Sequence, residues 1–185
     1  MGIPIRVCLV GAGRVANVHS NSLVHHVPEG KLVAVVDNNE NVLNHLADQF
    51  DIKNRYLSLE DALDEAEFEA VVITTPTFTH ADLAITAAKA GKHILLEKPM
   101  TLNLKECDEI IAEPAHGNVF QQLAFMRRFD PEFISAAEKN EAGEIVQPPC
   151  ISSTARPDQS CLLLDWLLEQ DVLLGSGSLM HICMP

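Results

Sequence analysis

The sequence has 185 residues, of which 47% are hydrophobic and 21% are charged, and this composition excludes a predominantly disordered chain. Lysine and arginine number 13 against 26 acidic residues, so the formal net charge is −13. A chain this acidic has no general electrostatic attraction for nucleic acid or for an anionic membrane surface. The length allows one full domain and a fragment of a second.

The five cysteines are an odd number and include no C-x-x-C pair. A disulfide framework and a zinc site are therefore not indicated, and we expect free thiols in a reducing, cytoplasmic compartment and no bound metal. The apolar run from Ile3 to Val10 is too short for a signal peptide, and the run from Cys161 to Leu174 contains acidic residues. Neither run predicts a membrane segment.

Short apolar runs alternate with segments of helical periodicity along most of the chain. This alternation predicts parallel strands joined by right-handed crossovers, and the fully apolar strands indicate a sheet that is covered on both faces. We therefore predict an α/β fold with a doubly wound parallel sheet over residues 1–147. In chain order, the predicted elements are strand 5–10, helix 14–27, strand 32–36, helix 40–50, helix 59–66, strand 71–74, helix 79–90, strand 93–96, helix 104–113, strand 119–126 and helix 131–142.

A glycine-rich string, Gly11-Ala12-Gly13-Arg14-Val15-Ala16, joins the first predicted strand to the first helix. Its G-x-G-x-x-A pattern is typical of dinucleotide binding. The first glycine permits the tight turn, the second lets a pyrophosphate approach the backbone, and the small sixth residue lets helix and strand pack closely. The helix N-terminus would offer N–H donors to the phosphates. The alternative is an ordinary strand-to-helix turn that happens to be rich in glycine.

Asp37 ends the second predicted strand, about 20 residues beyond the glycine string, which is the spacing expected for an acid that binds the adenosine ribose. A carboxylate there accepts hydrogen bonds from the ribose hydroxyls and repels a 2′-phosphate. Asn38 and Asn39 follow, with no arginine beside them. Together with the glycine string, Asp37 predicts a Rossmann-type domain that binds NAD in preference to NADP.

Two further polar segments follow predicted strands, at the sheet edge that faces the ligand crevice in such folds. The segment from Thr74 to His80 is compatible with a cofactor contact, or with a capped turn in which Thr79 caps the next helix. Glu97-Lys98-Pro99 is compatible with a lysine that exchanges a proton with a substrate hydroxyl, or with a surface salt bridge and a turn. A cis bond before Pro99 would fix the direction of Lys98.

The last predicted strand runs into Arg127 and Arg128, which could hold substrate oxygens or pair with carboxylates. Asp130 precedes Pro131 and is expected to cap the final helix, with Pro131 at its first position. The two interpretations do not exclude each other.

These motifs follow one another in a fixed order: Gly11-Ala12-Gly13-Arg14 with His19, Asp37, Thr75-Pro76-Thr77 with His80, Glu97-Lys98-Pro99, and Met126 to Pro131. In this order, over about residues 4–147, they resemble the Gfo/Idh/MocA oxidoreductases, most of all the inositol 2-dehydrogenase branch. The resemblance implies NAD-dependent oxidation of a hydroxyl of a cyclitol or sugar, with Lys98 as the catalytic lysine and Arg127 near the substrate. The cofactor-binding residues expected from the motifs and the resemblance are Gly11, Gly13, Arg14, Val15, Asp37, Thr75, Pro76, His80, Glu97 and Lys98.

Members of that family continue into a second domain, an open antiparallel sheet that forms the substrate floor and the homo-oligomer interface. We expect residues 148–185 to be a linker and a truncated remnant of that domain. The family's catalytic Asp and His would fall at His181 and Pro185, which cannot play those parts. A catalytically inactive dinucleotide-binding module is therefore the alternative to a dehydrogenase, and we expect the chain alone to be inactive.

Overall fold

The computed structural model describes residues 3–115 and 119–144. The predicted linker and domain remnant at 148–185, including His181 and Pro185, lies outside the described residues. The chain divides into one unit that ends at Ala124 and another that begins at Phe125.

The first unit alternates strands and helices along its whole length. In chain order its elements are β1 (Ile5–Val10), α1 (Arg14–His25), β2 (Gly30–Val36), α2 (Glu40–Gln49), β3 (Asn54–Tyr56), α3 (Leu59–Glu65), β4 (Ala70–Ile73), a 3-10 turn (Thr77–Thr79), α4 (His80–Lys89), β5 (His93–Leu96), α5 (Leu104–Ala115) and β6 (Gln121–Leu123). The six strands form one sheet in the order β3-β2-β1-β4-β5-β6, and each neighbouring pair is parallel. The doubly wound parallel sheet predicted from the sequence is confirmed.

The central strands are buried on both faces, because successive side chains of a strand point to opposite sides of the sheet. Cys8 and Leu9 are neighbours in β1, and neither is exposed. Cys8 belongs to an apolar cluster that includes Ile73 and Ile110, whereas Leu9 belongs to a second cluster that includes Leu46. Each face of the sheet therefore carries its own helix-covered core.

Two strands differ from the sequence-based expectation. β3 was not predicted, because Asn54-Arg55-Tyr56 contains no apolar run; it forms by pairing with Ala34–Val36 of β2 at the sheet edge. The predicted strand 119–126 is confined to Gln121–Leu123, since β6 pairs only with β5 and that ladder ends at the Leu96–Leu123 pair. Gly91 and Gly143 end their helices with φ of 71° and 72°, as expected for helix C-terminal glycines.

The second unit, as far as it is described, is a 3-10 turn (Met126–Phe129) followed by α6 (Pro131–Glu141). The predicted cap is confirmed, because the Asp130 carboxylate accepts a hydrogen bond from the Glu132 N–H at 3.0 Å. Across residues 3–115 and 119–144, no helix combines the length and the apolar character needed to cross a bilayer.

Candidate functional site: a cleft at the carboxyl ends of β1, β2 and β4

A cleft of about 720 Å³ lies where the chain reverses its direction across the sheet, from the β1-β2-β3 half to the β4-β5-β6 half. Such reversal points are where doubly wound sheets bind ligands. The cleft is lined by Val10, Gly11, Gly13, Val36, Asp37, Asn38, Leu57, Ser58, Leu59, Glu60, Thr74, Thr75, Pro76, Phe78, Thr79, Asp82 and Leu83. Five of the predicted cofactor-binding residues therefore lie together here: Gly11, Gly13, Asp37, Thr75 and Pro76.

Gly11 forms the turn after β1 and requires the absence of a side chain. Its φ is +93°, and a Cβ there would lie 2.9 Å from both the backbone nitrogen and Cγ2 of Thr75. The turn is also fastened to both neighbouring strands, because the Gly11 N–H donates to the Val36 carbonyl at 2.8 Å and the Thr74 hydroxyl lies 2.8 Å from the Gly11 carbonyl. The tight turn predicted at this glycine is confirmed.

Gly13 has the opposite surroundings. Its φ is −75°, and a Cβ would meet no heavy atom within 4 Å. It stands at the N-cap of α1 without a side-chain cap, so the first N–H groups of the helix are open to a ligand. Arg14 and Val15 form the first turn of α1 with exposed side chains, whereas Ala16 is fully buried against the sheet.

Asp37 is held at the end of β2 by two backbone donors. Oδ2 accepts the Ala12 N–H at 2.7 Å and Oδ1 accepts the Asn39 N–H at 2.8 Å. Each carboxylate oxygen keeps a further lone pair for a ligand hydroxyl. The glycine turn and the acid thus form one unit, although they are separated in sequence.

Nothing in the sequence indicates two of the cleft residues, Leu57 and Ser58, which follow β3, the strand that the sequence did not reveal. Phe78 lies in the 3-10 turn after β4, within the segment from Thr74 to His80 that was compatible with a cofactor contact. Leu57 is 53% exposed and Phe78 is 71% exposed. Because exposure depends on the fold and β3 has no apolar run, the sequence carries no signal for Leu57 and Ser58 as cleft residues.

Thr79 does not cap α4 with its side chain, so the capped turn, one of the two alternatives for this segment, is not what forms. Its hydroxyl lies 2.7 Å from the Thr75 hydroxyl and 2.8 Å from the Pro76 carbonyl, and it makes no capping hydrogen bond to the helix. Both contacts point back into the loop that precedes the helix. Thr79 therefore fixes the shape of the cleft wall rather than the start of α4.

His80, the first residue of α4, is only 1% exposed. Its Nε2 lies 2.9 Å from the Thr75 carbonyl, and its Nδ1 lies 3.0 Å from the Pro99 carbonyl and 3.2 Å from that of Met100. The ring thus connects the Thr75 turn to the segment that follows Lys98. His80 stays a predicted cofactor-binding residue whose described contacts reach the cleft through Thr75.

Glu97 and Lys98 follow β5, the neighbour of β4. Glu97 is 15% exposed at its side chain, with Oε1 2.9 Å from His19 Nε2 and Oε2 accepting the Lys98 N–H at 3.1 Å. Burial raises the pKa of Glu97, but the hydrogen bonds from His19 and the Lys98 N–H and the positive charges nearby outweigh it, so the pKa lies below the usual value. The Lys98–Pro99 bond is cis, the form that the sequence left open.

The partnership of His19 with Glu97 could not be predicted from spacing along the chain. His19 lies on α1, in the crossover that follows the glycine turn, whereas Glu97 lies beyond β5. Only the order of the strands places the two together. The side chain of Lys98 is half-buried beside them.

Arg127 lies in the second unit and has local partners there. Its guanidinium carbon stands 4.8 Å above the centre of the Phe133 ring, and Nη1 lies 3.8 Å from Asp130 Oδ2. Both contacts orient the guanidinium on the first turn of α6. Its assignment to the substrate stays a prediction.

Comparisons with known proteins agree with this geometry. The scyllo-inositol 2-dehydrogenase (NAD(+)) of Bacillus subtilis is 38% identical over 144 residues, which are 78% of this chain and 42% of the relative. The myo-inositol 2-dehydrogenase of Thermotoga maritima is 31% identical over 152 residues, 82% of this chain and 45% of the relative. The chain therefore spans less than half the length of these relatives.

Solved structures show the same fold. The scyllo-inositol dehydrogenase from Lactobacillus casei with bound NAD(H) and scyllo-inositol superposes with a TM-score of 0.71 at 28% identity, over 77% of this chain and 42% of that one. The myo-inositol 2-dehydrogenase from Lactobacillus plantarum gives a TM-score of 0.74 at 30% identity, over 77% and 42%. The model of the Gfo/Idh/MocA family, an oxidoreductase family with an NAD-binding Rossmann fold, matches residues 5–123. The chain therefore belongs to the Gfo/Idh/MocA family of NAD-binding oxidoreductases.

Proposed function

We propose that this chain carries the NAD-binding domain and the catalytic lysine of a dehydrogenase that oxidises a hydroxyl of a cyclitol or sugar. The observation that carries the proposal is the pairing of an open helix N-terminus at Gly13 with the fixed Asp37 carboxylate in one cleft. Those two features fit the pyrophosphate and the adenosine ribose of a dinucleotide.

The cleft also fits the rest of the cofactor. Its volume of about 720 Å³ falls within the range usual for cofactor sites. The exposed side chains of Leu57 and Phe78 offer apolar surface for the adenine ring, and the first turn of α1 would hold the pyrophosphate. When bound, NAD supplies the acceptor for a hydride.

The charges around the cleft favour NAD over NADP. Its lining contains three carboxylates, those of Asp37, Glu60 and Asp82, and the described lining residues include no lysine or arginine. An additional phosphate on the ribose would meet these carboxylates without a compensating cation, which lowers the affinity for NADP.

Lys98 is the residue we assign to the chemistry. It follows β5, next to the strand whose end forms the cleft wall, and its backbone N–H is held by the Glu97 carboxylate. The half-buried lysine there would orient the substrate hydroxyl, and its neutral amine form would accept the hydroxyl proton as hydride leaves the same carbon for NAD. Arg127 is proposed, on resemblance alone, to contact substrate oxygens.

The substrate class comes from the relatives. Those reported above carry the names of scyllo- and myo-inositol dehydrogenases, and one structure contains scyllo-inositol. We extend a small polyol substrate to this chain on that basis. A cytoplasmic location follows from the cysteine content and is part of the proposal. Homo-oligomerisation belongs to the family resemblance, whose interface lies in the second domain, and we do not extend it to this chain.

The first test is a titration of the chain with NADH, followed by the fluorescence of the bound cofactor. Saturable binding, weakened in Gly13→Val, is expected; a folded chain that shows no binding would overturn the proposal. The second test joins residues 1–144 to the part of the B. subtilis relative that this chain does not match. We expect that chimera to reduce NAD with scyllo-inositol and to lose turnover in Lys98→Met. A folded, NADH-binding chimera without turnover would contradict the proposed activity, and turnover that survives Lys98→Met would contradict the role of Lys98.

A further inference from the structure

His80 is one of two buried polar side chains in the described part of the chain, the other being Ser20. Both of its ring nitrogens face backbone carbonyl oxygens, Nε2 that of Thr75 and Nδ1 those of Pro99 and Met100, at 2.9 to 3.2 Å. A carbonyl oxygen can only accept a hydrogen bond. The geometry therefore provides acceptors on both sides of the ring and a donor on neither.

A neutral imidazole cannot satisfy this arrangement. It has one N–H and one bare nitrogen, so one lone pair would point at a carbonyl oxygen inside a buried site. An imidazolium donates from both nitrogens and satisfies each contact. The three carbonyl oxygens would accept these N–H groups, and hydrogen bonds from a charged donor are stronger than those from a neutral one.

His93 shows the opposite pattern in the same sheet. Its Nδ1 lies 3.0 Å from the Phe120 backbone nitrogen, whose N–H donates to the ring. That contact requires a bare Nδ1. His80 and His93 can therefore be compared directly. The Nδ1 of His80 faces hydrogen-bond acceptors, whereas the Nδ1 of His93 faces a donor.

We propose that His80 is a positioning residue that donates from both ring nitrogens and thereby holds the Lys98–Met100 segment against the Thr75 turn. Thr75 lines the cofactor cleft and Pro99 follows Lys98, so the ring ties the cleft wall to the segment that carries the lysine. The significance of this tie for catalysis rests on the proposed function. The state of the ring does not, because it is a property of the free chain.

The ring state is tested by nitrogen-15 NMR of the histidine side chains in the full chain at neutral pH, without cofactor. Two protonated ring nitrogens are expected for His80 and a bare Nδ1 for His93, which serves as the internal control. A bare nitrogen in the His80 ring would overturn the proposal. This measurement needs no variant, so it decides the matter even where a substitution prevents folding.

The positioning role is tested with His80→Gln, which can no longer donate along both original directions. We expect a shift of the Lys98 amide resonance and a loss of NADH affinity of roughly tenfold, because a charge-assisted bond to the cleft wall is removed. His45→Gln, at an exposed position on α2, is the control and should change neither. A folded His80→Gln with unchanged Lys98 resonance and NADH affinity would contradict positioning by His80. If the unmodified chain fails to bind NADH, the proposed function fails while the ring spectrum still tests the state of His80.

Discussion

The Asp37 carboxylate is bound at both oxygens by backbone N–H groups before any ligand arrives. One of these donors, Ala12, lies inside the glycine turn, so the position of the acid depends on the turn that would hold the pyrophosphate. This arrangement reduces the ordering required when a ribose binds, because the carboxylate is already oriented. It also fixes a negative charge where a 2′-phosphate would lie.

We therefore expect Asp37→Ser combined with Asn38→Arg to reverse the preference from NADH to NADPH. The exchange removes a repulsion and adds a cation, which should shift the relative binding free energy by about 1–3 kcal/mol. The measurement is the ratio of NADH and NADPH dissociation constants from fluorescence titrations. Asn38→Arg alone is the control, since it adds the cation and keeps the acid. Equal affinity of the unmodified chain for both cofactors would contradict the role of Asp37.

Glu97 leads to a prediction about stability and pH. The pKa of Glu97 in the folded chain lies below the usual value of 4.5. The ionised carboxylate therefore stabilises the fold at pH values above 4.5. This contribution to stability is lost as the pH falls through the lowered pKa. Glu97→Gln should therefore unfold more easily at neutral pH, by about 1–3 kcal/mol, and the difference should shrink below pH 4.5. Urea unfolding at several pH values checks this.

Glu138→Gln is the control for that series, because its side chain is exposed on α6. It should leave the free energy of unfolding unchanged across the range. A Glu97→Gln difference that stays constant with pH would show that the carboxylate is not stabilised in its ionised form.

At the scale of single residues, the sequence located the candidates but not their partners. Asp37, Thr75 and Lys98 follow predicted apolar strands, and strand ends can be read from hydropathy alone. The contacts of His19 with Glu97 and of His80 with Pro99 join separate crossovers. Such contacts depend on strand order and helix placement, which the local pattern does not contain.

At the scale of elements, the two glycines of the β1–α1 turn have different roles. Gly11 is enclosed by Thr75 at a positive φ, so its role is to permit the fold. Gly13 borders open space at an ordinary φ, so a side chain there disturbs only what occupies the cleft. The G-x-G pattern suggested these roles, and the packing around each residue distinguishes them.

Gly11→Ala should destabilise the domain by about 2 kcal/mol or more, since an L-residue is strained at that φ and its Cβ would meet Thr75. Gly13→Val should keep the stability and helix content nearly intact while lowering NADH affinity by more than about tenfold. Chemical denaturation and NADH titration of both variants measure the two effects. Loss of stability in Gly13→Val would contradict the open space around Gly13, and normal NADH binding in that variant would place the phosphates elsewhere.

The elements that the sequence predicted poorly are those whose extent is set by a neighbour. β3 has only three residues and exists because β2 offers an open edge. β6 ends at Leu123, because the backbone pairing with β5 ends at Leu96, although the apolar pattern of the sequence continues to Met126. The long apolar strands and the amphipathic helices, by contrast, carry their own signal, and their bounds agree with expectation to within about two residues.

At the scale of the whole molecule, the two apolar clusters and the candidate cleft all lie within the unit that ends at Ala124. The sequence predicts a domain boundary at 147, because helix periodicity continues through the helix from Pro131. That helix is α6, and none of its described side chains is buried. Periodicity reveals a helix but does not reveal which core, if any, the helix completes.

A chain that ends at Ala124 should therefore fold alone and bind NADH within about threefold of the affinity of the full chain, because every lining residue of the cleft is retained. The matched control ends at Lys92 and lacks β5, whose Ile94 and Leu96 are 3% and 0% exposed in the core. That shorter chain should not unfold cooperatively. Circular dichroism, urea unfolding and NADH fluorescence compare the two. If the chain ending at Ala124 is unfolded, residues from Phe125 onward contribute to the core of the domain, and the boundary expected at 147 becomes the better description.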